Sequence, residues 1–228
     1  MTVLGVGALA YGLGWSNLLS VDSIAIHGTN QIKLIQSQLE AGGSKLKIGE
    51  PLARINPRTE ENLIKDLEWI ASASVSRNWI SGAIDVRVVP RVPIAVFKSQ
   101  DSAAAPRYLA INGVEFSSPQ SFSNLAPISL GKGSVNKSVR ERRAVAKFVS
   151  ALPADLVNSL IGIELSNSDE IIMKAKPGKV LLRINWGSGN SSDEIAVKSR
   201  VLKGLLALPE NKKITAIDLT SANLPIVK

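Results

Sequence analysis

Two glycines and one histidine are the residues whose spacing most invites a chemical reading. Residues 180–209, VLLRINWGSGNSSDEIAVKSRVLKGLLALP, place Gly187 and Gly189 between a strand-like run and a helix-like run. Such a turn can cradle phosphate, because backbone N–H groups and a helix N-terminus then face the anion. The dinucleotide fingerprint, however, needs a third glycine where Ser192 stands, and the Walker-type loop needs a lysine that follows neither glycine at the required place. Asp193 and Glu194 would repel a phosphate and already satisfy the helix dipole. The stretch therefore reads as a strand-to-helix turn, with Ser191 or Ser192 capping a helix over residues 194–208.

The only histidine, His27, precedes Gly28 and is joined by no second histidine or ordered acid pair. No Gly-x-Ser-x-Gly elbow is present. SLGK, ending at Lys132, has Ser-x-x-Lys spacing but lies in a glycine-rich loop rather than at a helix start. The absence of cysteine excludes disulfides, thiol catalysis and Cys-ligated metals. These residues point to no catalytic site, no cofactor and no metal. The net charge of +8 favours anionic partners, but no nucleic-acid motif accompanies it. Neither nucleic acid nor a small-molecule substrate is expected.

The elements that surround these residues begin with an uncharged run. MTVLGVGALAYGLGWSNLLSV carries no ionisable side chain before Asp22. At about 1.5 Å per residue it spans about 30 Å, the thickness of a bilayer's hydrocarbon core. Tyr11 and Trp15 suit a membrane interface, and Gly5, Gly7, Gly12 and Gly14 are tolerable in a membrane helix. A single membrane anchor is the leading reading. A cleaved signal peptide lacks its basic n-region, and four glycines argue against a buried soluble helix.

Next, VDSIAIHG alternates as a short strand. From Thr29 a helix carries Ile32, Ile35 and Leu39 and stops at Gly42–Gly43. In RTEENLIKDLEWIASA, Thr59 can cap a second helix, with Asn62 in the capping-box place and Leu63, Leu67 and Ile70 on the apolar face. ASVSRNWI and AIDVRVV read as strands joined at Ser81–Gly82; Ile84, Val86 and Val88 share one face of the second. The order strand, helix, helix, strand, strand over residues 21–90 makes a small sheet covered by two helices. Beyond it come strands PIAVFKS and RYLAI, a turn at Asn112–Gly113 and a basic helix with Arg140, Arg142, Arg143 and Lys147. Strands IGIELSN, EIIMKAK and KVLLRINW follow, then the helix after WGSGN and a last strand, ITAIDLT. This region is mostly sheet, with two helices. The basic helix reads as a solvated face or as a surface for an acidic partner.

The ordered series resembles the bacterial cell-division family FtsQ, called DivIB in many Gram-positive bacteria. The pieces that carry it are VDSIAIHG after the anchor, GEPLARIN, ASVSRNWISGAIDVRV, the linking RVPIAVF, VLLRINWG with its helix bearing Lys198 and Leu202, and ITAIDLT. Departures stand at Pro90, where the family often has Glu, at Asn78–Ile80, where it commonly has a proline after Arg77, and before Asn112–Gly113, where an expected Asp is missing.

The resemblance implies an α+β chain: an N-terminal membrane helix (1–20), a POTRA-type βααββ domain (21–90) and a β-rich domain with a mixed sheet and two helices (91–228). It implies a single-pass protein of the cell membrane, with its bulk outside the cytoplasm, acting at the division septum without catalysis. FtsL-type and FtsB/DivIC-type proteins would be its partners. The FtsB-type partner would add a segment at the exposed edge of the last strand. Candidate contacts on that reading are Lys198 and Arg200 of the helix, Ile214, Thr215, Ile217 and Leu219 of the strand, and Thr220, Ser221 and Asn223 beyond it. The alternative is an anchored or secreted POTRA-containing protein of envelope transport or assembly.

Overall fold

The computed structural model describes residues 19–98, 105–129, 139–165, 170–177, 180–188 and 191–228. Residues 1–18 of the expected anchor, Gly189 and Lys132 lie outside them. Among the described residues no helix is long and apolar enough to cross a membrane. The chain forms two compact units that divide between Arg91 and Val92.

In the first unit, β1 (Ser23–His27), α1 (Ile32–Ala41), α2 (Pro57–Lys65), β2 (Ile70–Arg77) and β3 (Ala83–Pro90) follow in the order expected for a POTRA-type region. The sheet runs β1-β3-β2, with β1 parallel to β3 and β2 antiparallel to it. Alternation in β3 sends Ile84, Val86 and Val88 into a core shared with Ile35, Leu39 and Ile64, and leaves Val89 exposed. β1 ends at Gly28, whose φ is +95°; a Cβ there would lie 2.0 Å from the Val88 carbonyl oxygen.

The second helix departs from expectation. Its cap is Asn56, whose side chain accepts from the Arg58 N–H (3.1 Å), and Pro57 takes the first helical position. Asn–Pro is a stronger start than Thr59, so the helix begins earlier; its buried residues are Glu60 and Ile64. Leu63 and Leu67 are half-buried, and Ile70 belongs to β2. Glu60 is 2% exposed, its carboxylate accepting from the Ser44 hydroxyl and the Lys45 N–H. A buried carboxylate needs such donors, and these tie α2 to the turn after α1.

The second unit is a nine-stranded mixed sheet in the order β12-β11-β10-β9-β8-β7-β4-β5-β6. Its strands are β4 (Pro93–Phe97), β5 (Arg107–Ala110), β6 (Glu115–Ser117), β7 (Ala126–Ser129), β8 (Leu160–Leu165), β9 (Ile171–Ala175), β10 (Leu182–Gly187), β11 (Ala216–Asp218) and β12 (Ile226–Val227). The helices are α3 (Val139–Ala151), α4 (Ala154–Ser159) and α5 (Ser192–Ala207). One core joins Met173, Ile184, Trp186 and Ile217 of the sheet to Phe148, Leu156, Ile195 and Leu202 of the helices.

Two helices are expected and the described residues show three; the additional one, α4, is a six-residue segment that starts after Pro153. β6, β7 and β12 are not among the expected strands either; all three are short, and a proline stands within or beside the last two. The basic helix α3 is partly committed to structure. Arg142 donates to the Gly113 carbonyl (3.1 Å) and Arg143 to the Asn112 carbonyl (3.2 Å), so the helix clamps the turn between β5 and β6. Lys147 is exposed.

Candidate partner-docking edge

The last elements of the chain build one side of the second sheet. β10 carries Leu182, Ile184 and Trp186 inward and presents Arg183 and Asn185 outward. Gly187, with φ of +70°, turns the chain out of the strand. A Cβ there would meet Thr220 Cα at 3.1 Å, so the close approach of two backbones requires glycine.

Ser191 then caps α5. Its hydroxyl oxygen accepts from the Glu194 N–H (3.2 Å), and the Glu194 carboxylate accepts from the Ser191 hydroxyl (2.9 Å) and backbone N–H (3.4 Å). This is a complete capping box. Its carboxylate fills the place that a phosphate would need, in keeping with the turn reading of WGSGN.

The helix returns the chain to a position beside β10, where β11 pairs parallel to it: Arg183 opposite Ala216, Ile184 opposite Ile217, Asn185 opposite Asp218. A parallel neighbour needs such a helical crossover.

Lys198 does not offer its charge to a partner. It is 4% exposed, and its Nζ donates to the carbonyls of Trp186 (2.8 Å) and Ser188 (2.9 Å). The ammonium lies 5.7 Å from the centre of the Trp186 ring. Burial lowers its pKa from a lysine's usual value, against the opposing pull of Glu194 and Asp218. Expected as a docking charge, it is instead the clasp that holds the end of β10 against α5. Arg200 stands on the exposed side of the helix, and Lys203 pairs with Asp155 at 2.9 Å.

The strand residues divide by alternation. Ile217 and Leu219 are 2% and 0% exposed and belong to the core, which removes both side chains from the candidate contacts. Ile214 is half-buried against the same core. Thr215 has an exposed side chain, but its N–H donates to the Lys228 carbonyl (2.8 Å) and its carbonyl accepts from the Arg183 N–H (2.9 Å).

Thr220, Ser221 and Asn223 are exposed in the turn after β11. Thr220 donates its N–H to Asp218 Oδ1 (2.9 Å), and its hydroxyl accepts from Asn185 Nδ2 at 3.4 Å. Bonds from Thr220, together with Asn185 and the Lys228 charge, hold the Asp218 carboxyl below the usual carboxylate value.

β11 is also not the edge of the sheet. After Pro225 the chain folds back, and β12 pairs antiparallel along it, Ile217 opposite Val227 and Asp218 opposite Ile226. Ala216 and Lys228 exchange both backbone bonds (3.0 and 2.9 Å). In an antiparallel ladder bonded and non-bonded pairs alternate. Val227, one residue before Lys228, therefore points its N–H and C=O away from β11, toward the open side. Leu224, Ile226 and Val227 are 78%, 56% and 39% exposed. On this side of the sheet, among the described residues, the edge is thus the two-residue strand β12, which sequence reasoning missed. Its signal was the apolar pair Ile226–Val227 directly after Pro225.

The chain is similar to known proteins in three comparisons, of which the first two bear on its identity. Residues 19–91 match the family model of the FtsQ-type POTRA domain. The Cell division protein FtsQ of Salinibacter ruber is 24% identical over 229 residues, covering 96% of this chain and 86% of that one. The major extracytoplasmic domain of the trans isomer of the cell division protein DivIB from Geobacillus stearothermophilus is 14% identical, covering 53% of this chain and 94% of that one. Its TM-score is 0.34, too slight a likeness to carry weight. The chain thus carries an FtsQ-type POTRA domain over residues 19–91 and is similar along nearly all its length to a cell division protein FtsQ.

Proposed function

We propose that this chain is a scaffold of the division machinery, held in the cell membrane as a single pass through residues 1–20. Its POTRA-like domain (21–90) and β-domain (91–228) stand outside the cytoplasm at the septum. There it links FtsL-type and FtsB/DivIC-type proteins to the wall-building apparatus. The observation that supports the docking reading is the outer side of β12, which no strand pairs among the described residues, flanked by exposed Leu224 and Ile226 and by the exposed turn with Thr220, Ser221 and Asn223.

An extended partner segment can join that edge, because an unpaired strand offers main-chain donors and acceptors. At Val227 it gains two backbone bonds of about 1 kcal/mol each. That is too little for a stable complex, so apolar contact with Leu224, Ile226 and Val227 must supply most of the affinity. Pro225 lacks an N–H, which limits the ladder on that side and fixes its register. Arg200 and the turn residues form the polar rim. Ile217, Leu219 and Lys198 act behind the edge by fixing its position.

A fluorescent fusion of the full chain should gather at midcell, and its pull-down from membranes should enrich FtsL- and FtsB-type proteins. Diffuse membrane fluorescence with neither protein enriched would refute the scaffold.

A further inference from the structure

We infer that the β2–β3 hairpin tip of the first unit, Trp79–Ile80, rests in the bilayer interface beside the chain's own anchor. The inference rests on the reading of residues 1–20 as that anchor. Ile80 is 99% exposed and Trp79 is 42% exposed.

The register settles where this tip lies. β1 runs parallel to β3 with Ser23 opposite Ala83, so the start of β1 and the β2–β3 turn share one end of the sheet. The Asp22 N–H donates to the Gly82 carbonyl (2.9 Å), and a Cβ on Gly82 would meet Asp22 Oδ2 and the Ser20 carbonyl. Two residues of chain reach at most about 7 Å, so Ile80 sits within a headgroup layer's reach of the first charged residue after the apolar run.

A second loop flanks the same point. The Gly49 N–H donates to the Val21 carbonyl (2.9 Å), and Val21 donates back to the Glu50 carbonyl (3.0 Å). That loop carries Ile48, 72% exposed, together with exposed Lys45 and Lys47. Large apolar side chains therefore stand on both sides of the place where the chain leaves its uncharged segment, with lysines on one side to meet anionic headgroups.

The tip is built to tolerate low polarity. Asn78 Oδ1 accepts from the N–H groups of Ile80 (3.0 Å) and Ser81 (3.2 Å), and the Asn78 N–H closes the loop onto the Ala83 carbonyl (2.8 Å). These donors need no water. The Arg77 guanidinium lies 4.9 Å from the centre of the Trp79 ring and donates to the Leu52 (2.9 Å) and Ile55 (2.7 Å) carbonyls, so the indole is held in place. Tryptophan favours the membrane–water boundary. Two side chains on a hairpin tip fall far short of the roughly 1,000 Å² that a protein interface needs. Lipid, which the anchor brings alongside, needs no such area. The tip would thus be a second foot that limits tilt and rotation of the first unit on the membrane.

The chain has no cysteine, so single labels are straightforward. The full chain is reconstituted in vesicles of phosphatidylethanolamine and phosphatidylglycerol and labelled with bimane at Ile80→Cys, at Val6→Cys within the anchor, or at exposed Ser72→Cys toward the far end of β2. Labels at 6 and 80 should lose most of their emission in brominated-lipid vesicles and resist aqueous iodide, while the label at 72 behaves oppositely. A label at 80 that iodide quenches as fully as at 72, with 6 in lipid, overturns the inference and leaves the anchor standing. If 6 and 80 are both aqueous, both readings fall. If 6 is aqueous and 80 is in lipid, the anchor reading falls and takes with it the placement of the tip beside an anchor, leaving only a lipid contact of the tip itself. Shielding of 80 from iodide without quenching by brominated lipid assigns the tip to a protein contact and overturns the lipid one.

Discussion

Lys198→Met removes the ammonium from behind the docking edge while keeping most of the side chain's volume. In the native chain the ammonium donates to two carbonyls, those of Trp186 and Ser188, at 4% exposure. Hydrogen bonds from a charged group contribute about 1.5–3 kcal/mol each, and a buried acceptor left bare costs about 1–3 kcal/mol. Against this, methionine escapes the desolvation of a buried ammonium, several kcal/mol. The balance is a loss of about 2 kcal/mol in the second unit.

By the tenfold-per-1.4 kcal/mol rule that is roughly thirtyfold faster amide exchange in β10 and α5. Hydrogen–deuterium exchange by mass spectrometry reads it peptide by peptide, with β2 and β3 as the internal control. The pH dependence adds a second check. Burial lowers the Lys198 pKa below a lysine's ordinary 10.5, so the unfolded chain holds that proton more tightly. Wild type should therefore gain stability over Lys198→Met as pH rises through the window from the lowered value to 10.5. Unchanged exchange in β10 and α5, or equal acceleration in β2 and β3, would refute the clasp.

The carboxyl at Asp218 is held below its ordinary 3.8, so its stabilisation is present above that value and fades as pH falls through the lowered one. Asp218→Asn should flatten the acid limb of the second unit's urea stability profile, and an unaltered limb would count against the Asp218–Thr220–Asn185 network. Gly28→Ala would set a Cβ against the Val88 carbonyl oxygen in a backbone conformation that alanine resists. A loss of about 2 kcal/mol or more is expected in the first unit, measured by urea unfolding followed at Trp69, which lies in that unit.

The sequence was most legible where periodicity and turn chemistry agreed. Alternation placed Ile84, Val86 and Val88 inward, and the polar start of WGSGNSS marked the turn and the cap of α5. It misled where a polar residue acts from inside. Lys198 reads as a docking charge and Glu60 draws no reading from its helix, yet each is buried because backbone groups or a hydroxyl wait to meet it. Nothing in a helical pattern announces carbonyls contributed by the preceding strand. Thr59 suits a cap by its type and by the capping-box place of Asn62, but the stronger Asn56–Pro57 start displaces it. The edge was misplaced by one strand because Ile226–Val227 is too short for its pattern to register. Only the return of the chain after Pro225 makes that pair a strand.

The central claim is that a division partner joins the outer side of β12. Val227→Pro removes the one backbone donor that faces outward there and leaves the Ala216–Lys228 exchange intact. Binding of a purified FtsB/DivIC-type partner to the full chain and to this variant is the direct measurement, with hydrogen exchange in β10 and β11 confirming an unchanged fold. Affinity should fall about tenfold or more, from the lost backbone bond and the loosened apolar contact. Equal affinity of the two chains would contradict the claim.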